Sequence, residues 1–424
     1  MISFSIIGAS LYGNRGAEAM LSTTIGILRK YFPQAEFNVF SYYPQKDKSI
    51  LLNEAKSFIK IFSYKPIYLA TRFFILSVLY KIIIKTLNLN YLKRLFPLSV
   101  KCMAESKAII CIAGVSFIDG REKYLIYNIF SLLPPLILNV PIIKLSQALG
   151  PFHNPLNKYF AKIFLPACKK IFTRGNVTHS YFEESFPSES FYQRADDIVF
   201  IYDKSFSYSI EIESDYKSKK TLLANLKRNK KILVGICPSS VIEGYNKKNR
   251  GNYLTILLVI IEDLIRQGYI PVVFPNATKN INSNKKHNND LPLIRKIQKS
   301  IYERNISNCI IFNNSLNAKQ IVELIEILDI NVVSRFHSMI FSLICGVIPI
   351  VIGWSHKYLE VMSLFQLENL VMDFKSFTPK LVVNKVNKCL QEKNEFVTKI
   401  KIKLPFIKET ALSQFKILKE IISL

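Results

Sequence analysis

The chain has 424 residues, 49% of them hydrophobic, and sets 57 Lys and Arg against 31 Asp and Glu, a net charge of +26. Length and apolar content exclude a small stapled scaffold or a disordered chain and provide core material for two or three domains. The charge asks for an anionic partner (a phosphorylated small molecule, an acidic glycan, a membrane surface or nucleic acid), although a composition rich in Lys, Ile and Asn accounts for part of it.

From the start, MISFSIIGAS runs without a basic leader into a first strand, ISFSII, so the expected location is the cytoplasm, with the inner membrane face as a further option. A helix over 16–32 follows, with Met20, Thr24, Ile27, Leu28 and Tyr31 on one face, and then the strand EFNVFS. Next comes a basic insertion, about 48–103. No acidic residue stands between Glu54 and Glu105, while Lys56, Lys60, Lys65, Arg72, Lys81, Lys85, Lys93, Arg94 and Lys101 accumulate among aromatic and aliphatic residues. Arg72 and Lys81 cut its apolar run short of the roughly 20 residues a membrane span needs. About 57–98 therefore reads either as an interfacial amphipathic region resting on anionic lipid or as a helical insertion packed on its own domain. The strand AIICIA, a helical region after Arg121, the strand PIIKLSQ, a helix NPLNKYFAKIFLPAC, the strand KKIFTR and a helix over 175–185 complete the first half.

A polar stretch, 204–230, reads as a linker region. A second alternating series runs KILVGIC, a helix through Leu254 to Ile265 closed by Gly268, YIPVVFP, a solvated Asn and Lys-rich loop 276–290, a helix from Leu291, and CIIFN. It continues with a helix opened by Asn317 and Gln320 in a near capping box, then INVVS, a helix over 337–345 closed by Gly346, IPIVIG, and a helix with Thr378 as N-cap and Pro379 at N1. Strands alternating with helices give an α/β fold of mostly parallel sheets. The expected organisation is a first Rossmann-like domain over 1–203, the linker, a second over 231–395, and a C-terminal helical segment 396–424, the two domains facing across a cleft.

Candidate site residues stand where strands end. In SRFHSMIF, Ser334 and Arg335 close a strand and a helix starts at once; TRGNVTHSYF repeats the arrangement with Thr173 and Arg174. If both sheets present their carboxyl edges to the cleft, the two guanidinium forks converge on a phosphate and a carboxylate, with helix N-termini assisting; the plainer reading of each arginine is a salt bridge to a neighbouring loop. His337 is the strongest acid/base candidate because it shares the Arg335 turn, with Ser338 beside it. His153, His179, His287 and His356 lack such company. GASLYGNRGAEAM misses the dinucleotide spacing, yet Gly13 and Asn14 allow close backbone approach to a ligand, and Glu18 is either a cleft-facing acid/base or a carboxylate favoured by the helix dipole. Trp354 and Lys357, after IPIVIG, would reach the same edge to stack on a sugar or neutralise a phosphate; core packing and a solvated lysine are the plainer readings. Asp196 and Asp197, in RADDIVF, read either as binders of a hydroxyl or a cation or, more plainly, as a turn. The seven cysteines are scattered and form no C-x-x-C pair, so neither a disulfide framework nor a zinc site is expected.

GNRGAEAML, SQALGPF, TR before a helix, the turn DDIVF, and above all SRFHSMIFSLICGVIPIVIGWSHKYLEVM resemble the polysaccharide pyruvyl transferase family over about residues 1–375. The resemblance implies a GT-B-like two-domain fold, phosphoenolpyruvate as co-substrate with no other cofactor and no metal, a saccharide or lipid-linked saccharide as acceptor, and a pyruvate ketal on a cell-surface glycan such as an exopolysaccharide as product. By match of motif it places Arg335, His337 and Arg174 in donor-binding and catalytic positions. Ala17, where an aspartate is usual, and 112–117, where a glycine triplet is common, depart from the pattern. The alternatives are a glycosyltransferase using a nucleotide sugar and an inactive glycan- or membrane-binding relative; no nucleic-acid motif is found.

Overall fold

The computed structural model describes residues 2–211, 215–248, 252–279 and 288–423. It divides into two compact units. One holds the chain up to Leu11, Met20–Tyr208 and the stretch from Lys408 onward; the other holds Tyr12–Ala19 and Ser209–Ile407. Both are α/β, and every strand pairing within their sheets is parallel.

The first unit is built on seven strands: β1 Ser3–Ile7, β2 Glu36–Ser41, β3 Ile59–Ser63, β4 Ala108–Cys111, β5 Ile142–Gln147, β6 Lys170–Arg174 and β7 Tyr192–Ala195. Their order is β3-β2-β1-β4-β5-β6-β7. The continuous apolar runs of β4 and β5 are buried along their whole length, as strands covered on both faces must be. β3 lies inside the stretch expected to be a wholly helical insertion. It escapes sequence reading because it is short and pairs only with β2, burying Ile59 and Ile61 while Lys60 points to solvent. After it, Pro66–Thr86 forms one continuous helix of 21 residues with mean hydropathy 1.8, containing π turns at Leu69–Phe73 and Lys81–Thr86. By length and composition it could cross a membrane, which the sequence reading denied on account of Arg72 and Lys81.

The second unit has six strands: β8 Leu233–Cys237, β9 Ile270–Val273, β10 Ile310–Ile311, β11 Ile330–Val333, β12 Ile348–Gly353 and β13 Val371–Asp373, ordered β10-β9-β8-β11-β12-β13. This is the doubly wound order, in which the chain reverses direction across the sheet between β8 and β11 and leaves a crevice at their carboxyl ends. The expected linker contains a helix, Tyr216–Arg228, that belongs to this unit, and residues 212–214 of that stretch lie outside the described residues. Most of the Asn and Lys-rich loop, with His287, also lies outside them. The C-terminal segment is a single helix, Lys393–Ser423, whose residues from Lys408 belong to the first unit.

Candidate active site at the Arg335–His337 turn

Ser334 and Arg335 follow β11 directly, beside the carboxyl end of β8 across the order reversal. Arg335, in extended backbone, is the N-cap of the helix Phe336–Ile344. Its guanidinium is buried and held as a fork. Nε donates to both carboxylate oxygens of Asp290 at 3.1 and 3.0 Å, Nη1 to Asn288 at 2.7 Å, and Nη2 to the Ser240 hydroxyl at 3.0 Å and to Asp290. Of the five N–H groups a guanidinium carries, at most one is left for a ligand. Burial pulls the guanidinium pKa down, but the charge and hydrogen bonds of Asp290 more than offset this and leave it raised.

Asp290 is completely buried and gathers the rest of the crevice. It accepts from the backbone N–H of Ser240 at 3.0 Å, Ala277 at 2.9 Å and Asn276 at 3.3 Å, while itself preceding the helix Leu291–Glu303. Ser240 opens the helix Ser240–Lys248 after β8, with the Ser239 hydroxyl accepting from Val241 N–H. The starts of three helices, at 240, 291 and 336, are thus tied to one Arg–Asp pair. Behind them Tyr253 shares a hydrogen bond with the Ser334 hydroxyl and Tyr358 donates to its carbonyl; burial pushes both phenols well up and the neighbouring Cys237 thiol up to about 12.

The segment 12–19 completes this arrangement in the second unit. Gly13, at φ +97°, gives its carbonyl to Thr278 N–H at 2.7 Å, and Arg15 N–H donates to the Asn276 carbonyl. Asn14 accepts from Gly16 N–H at 3.0 Å, so its side chain caps the helix Arg15–Tyr31. Gly16 lies flat against the imidazole of His337: a Cβ there would stand 1.9 Å from Nδ1. Half-buried His337 also meets the Phe336 ring edge-on at 5.2 Å.

Other sequence candidates have different surroundings. Glu18 is buried, paired with Arg15 at 2.6 Å, accepting from Ala318 N–H at 3.1 Å and bonded to the Ser209 hydroxyl, so its oxygens tie local structure together. Ser338 is fully buried and accepts from Asn331 on β11. The Lys357 ammonium sits over the rings of Phe336 and Trp354, at 4.7 and 4.8 Å, which brings both Lys357 and half-buried Trp354 to the Arg335 helix. Asp290, Ser240 and Arg15 were not singled out in the sequence; a serine pair after KILVGIC and an aspartate before Leu-Pro are the signals that mark helix starts there.

In the first unit, Arg174 ends β6 and is the N-cap of the helix Gly175–Ser185. It pairs with Asp197 at 3.0 Å, both buried, and Asp197 also accepts from Val199 N–H. Asp196 binds Arg194 at 2.8 Å and the Thr410 hydroxyl, with burial raising its pKa despite those partners. His179 bonds Thr173 at 3.0 Å, and His153 and His356 are exposed.

The family model for polysaccharide pyruvyl transferases matches residues 14–356, from the capping Asn14 through the Arg335–His337 turn. The chain belongs to the polysaccharide pyruvyl transferase family. It is therefore a transferase of polysaccharide biosynthesis, and Lys357 falls just beyond the matched segment of this pyruvyl transferase. A sequence comparison with curated proteins finds no match. In fold it is similar to HepE of Anabaena, solved with UDP and glucose, at 12% identity and TM-score 0.55 over 100% of both chains. It is also similar to a putative UDP-N-acetylglucosamine 2-epimerase of Listeria monocytogenes (9%, TM-score 0.59, 99% of this chain and 94% of that one) and to the UDP-GlcNAc 2-epimerase of Neisseria meningitidis bound to UDP-GlcNAc (10%, 0.59, 99% and 100%). At these identities the likeness speaks for a GT-B-like fold and nothing finer.

Proposed function

We propose that this pyruvyl transferase moves the pyruvyl group of phosphoenolpyruvate onto two hydroxyls of one sugar in a cell-surface glycan. The observation that carries the reading is the Arg335–His337 turn at the carboxyl end of β11, beside the reversal of strand order and inside the family match. A doubly wound sheet binds ligands there, and the positive end of the dipole of the helix Phe336–Ile344 suits a phosphate or carboxylate. Arg335, its charge balanced by the buried Asp290, offers an anion at most one N–H, and Lys357 stands over the same helix.

In the reaction, His337 as general acid gives a proton to the methylene carbon while one sugar hydroxyl bonds to the adjacent carbon and loses its proton, which restores the protonated His337. The carbon–oxygen bond to phosphate then breaks, phosphate departs with that electron pair, and the second hydroxyl bonds to the same carbon, its proton passing to phosphate. The products are a ketal and inorganic phosphate, and stabilising the departing phosphate is the protein's largest task.

Thermal shift with phosphoenolpyruvate and with UDP-sugars separates this from nucleotide-sugar transfer. The true donor stabilises the protein by about 2.7 kcal/mol at a hundredfold excess over its Kd. Stabilisation by phosphoenolpyruvate, and acceptor-dependent phosphate release from it, are expected; stabilisation by a UDP-sugar alone overturns the reading.

A further inference from the structure

The basic insertion of the first unit turns an apolar stripe to solvent. On the helix Pro66–Thr86, Ile67, Ile75, Leu79 and Ile82 are 82, 54, 41 and 47% exposed. Their spacings of eight, four and three residues set them on one face. The segment that follows keeps the same habit, with Leu87, Tyr91, Leu95 and Leu98 all more than half exposed. Isolated surface leucines are ordinary, but a stripe of this length on one element marks an interaction surface. No acidic residue lies between Glu54 and Glu105, and Lys65, Arg72 and Arg94 are exposed in that interval.

We infer that this face is a membrane-docking surface, on which the helix Pro66–Thr86 lies in the plane of an anionic bilayer with its apolar stripe among the acyl chains. Charge complementarity selects the occupant. A second copy meeting this face about a twofold axis would bring cation against cation, whereas lipid phosphates neutralise them. The packed face of the same helix favours lying in the plane over a span. Leu69, Phe73, Ser77, Tyr80 and Ile84 are packed into the protein, Phe74 meets Phe130 edge-on at 5.5 Å, and Tyr80 meets Phe96 at 5.0 Å, so only one side is open to lipid. Lys65 and Arg72 carry their charges on stems long enough to reach headgroups while the stripe sits deeper.

The test is co-sedimentation of the full-length protein with phosphatidylcholine vesicles and with vesicles containing phosphatidylglycerol. Binding to the anionic vesicles alone is expected, falling about tenfold or more as salt rises from about 0.1 to about 1 M. I67S/I75S and K65Q/R72Q are each expected to weaken it about tenfold with the melting temperature unchanged, since all four side chains are exposed. The inference is overturned by absence of binding, by binding that neither variant alters, by protein that stays in cell membranes through an alkaline carbonate wash, as a span would, or by I67S/I75S turning a dimer into a monomer.

Discussion

Gly16→Ala puts two effects of opposite sign on one residue. Gly16 lies in the first turn of the helix Arg15–Tyr31, where an alanine is worth up to about 1 kcal/mol in helix propensity. Its Cβ would stand 1.9 Å from Nδ1, 2.1 Å from Cγ and 2.6 Å from Cε1 of His337. Ordinary carbon contacts begin near 3.5 Å, so the imidazole must retreat by roughly 1.5 Å. Turning the ring about its Cβ–Cγ bond leaves Cγ in place and clears nothing. The whole side chain must swing, or the two helix starts must separate. Overpacking of this kind costs about 1–3 kcal/mol, which leaves a net destabilisation between about 0 and 2 kcal/mol, a few degrees in Tm for a unit of this size. Turnover should fall much further, because an ångström of displacement at the reacting centre costs about a hundredfold. Acceptor-dependent phosphate release is the assay, with a thermal melt run on the same preparation. A G16A protein with raised Tm and wild-type turnover would refute both the close packing of Gly16 on His337 and the catalytic place given to that histidine.

Two further substitutions probe the second unit. Asp290→Asn leaves the Arg335 guanidinium buried without its counter-charge and should cost about 3–5 kcal/mol, read as a lower urea midpoint at unchanged m value; a loss below 1 kcal/mol would mean the pair is solvated. Asp329 is pushed up by burial, yet hydrogen bonds from Lys227, Lys393 and Leu233 N–H outweigh that and hold its carboxyl below the usual aspartate range. With the folded pKa depressed, the stabilisation is present above the ordinary aspartate pKa and is lost as pH falls through the lower, folded value. Asp329→Asn should therefore cost about 1.5–3 kcal/mol at pH 6–7, and melting curves of the two proteins should converge below about pH 4; a gap that persists into acid would remove the ion pairs as its cause.

Which elements the sequence disclosed follows from how each is buried. β2 and β12 coincide with EFNVFS and IPIVIG because all or nearly all of their residues are buried and the chain turns polar or glycyl at their ends. β7 has only Ala195 buried and β13 only Met372; they pair on one side, so they carry no apolar run to recognise. Tyr216–Arg228 passed for a linker because it buries only Tyr216 and Leu223 and gives the rest of its surface to lysines. The cap at Asn317 was legible because both halves of a capping box lie within four residues, and both hydrogen bonds are formed.

The site divides along the same line between local and distant information. Arg335 and His337 could be found because they stand two residues apart after a strand; Asp290 could not, since its partner is 45 residues further along and nothing in NNDLPL declares a buried ion pair. The two strand-end arginines look alike in sequence, as TRG and SRF, and sheet order is what tells them apart. Arg335 follows β11, which pairs with β8 where the strand order reverses. In the first unit that reversal lies between β1 and β4, while Arg174 closes β6 with β5 intervening. There the reversal is occupied by backbone: Gly8, at φ +93°, lies so near Ala113 that a Cβ would come within 2.5 Å of its amide nitrogen. Each arginine is also matched by a buried aspartate, so neither can be assigned to a ligand by charge alone. Position in the sheet is the remaining physical criterion: Arg335 stands beside the reversal of strand order in the second unit, where a doubly wound sheet opens its crevice, whereas Arg174 is separated from the reversal in its own unit by β5.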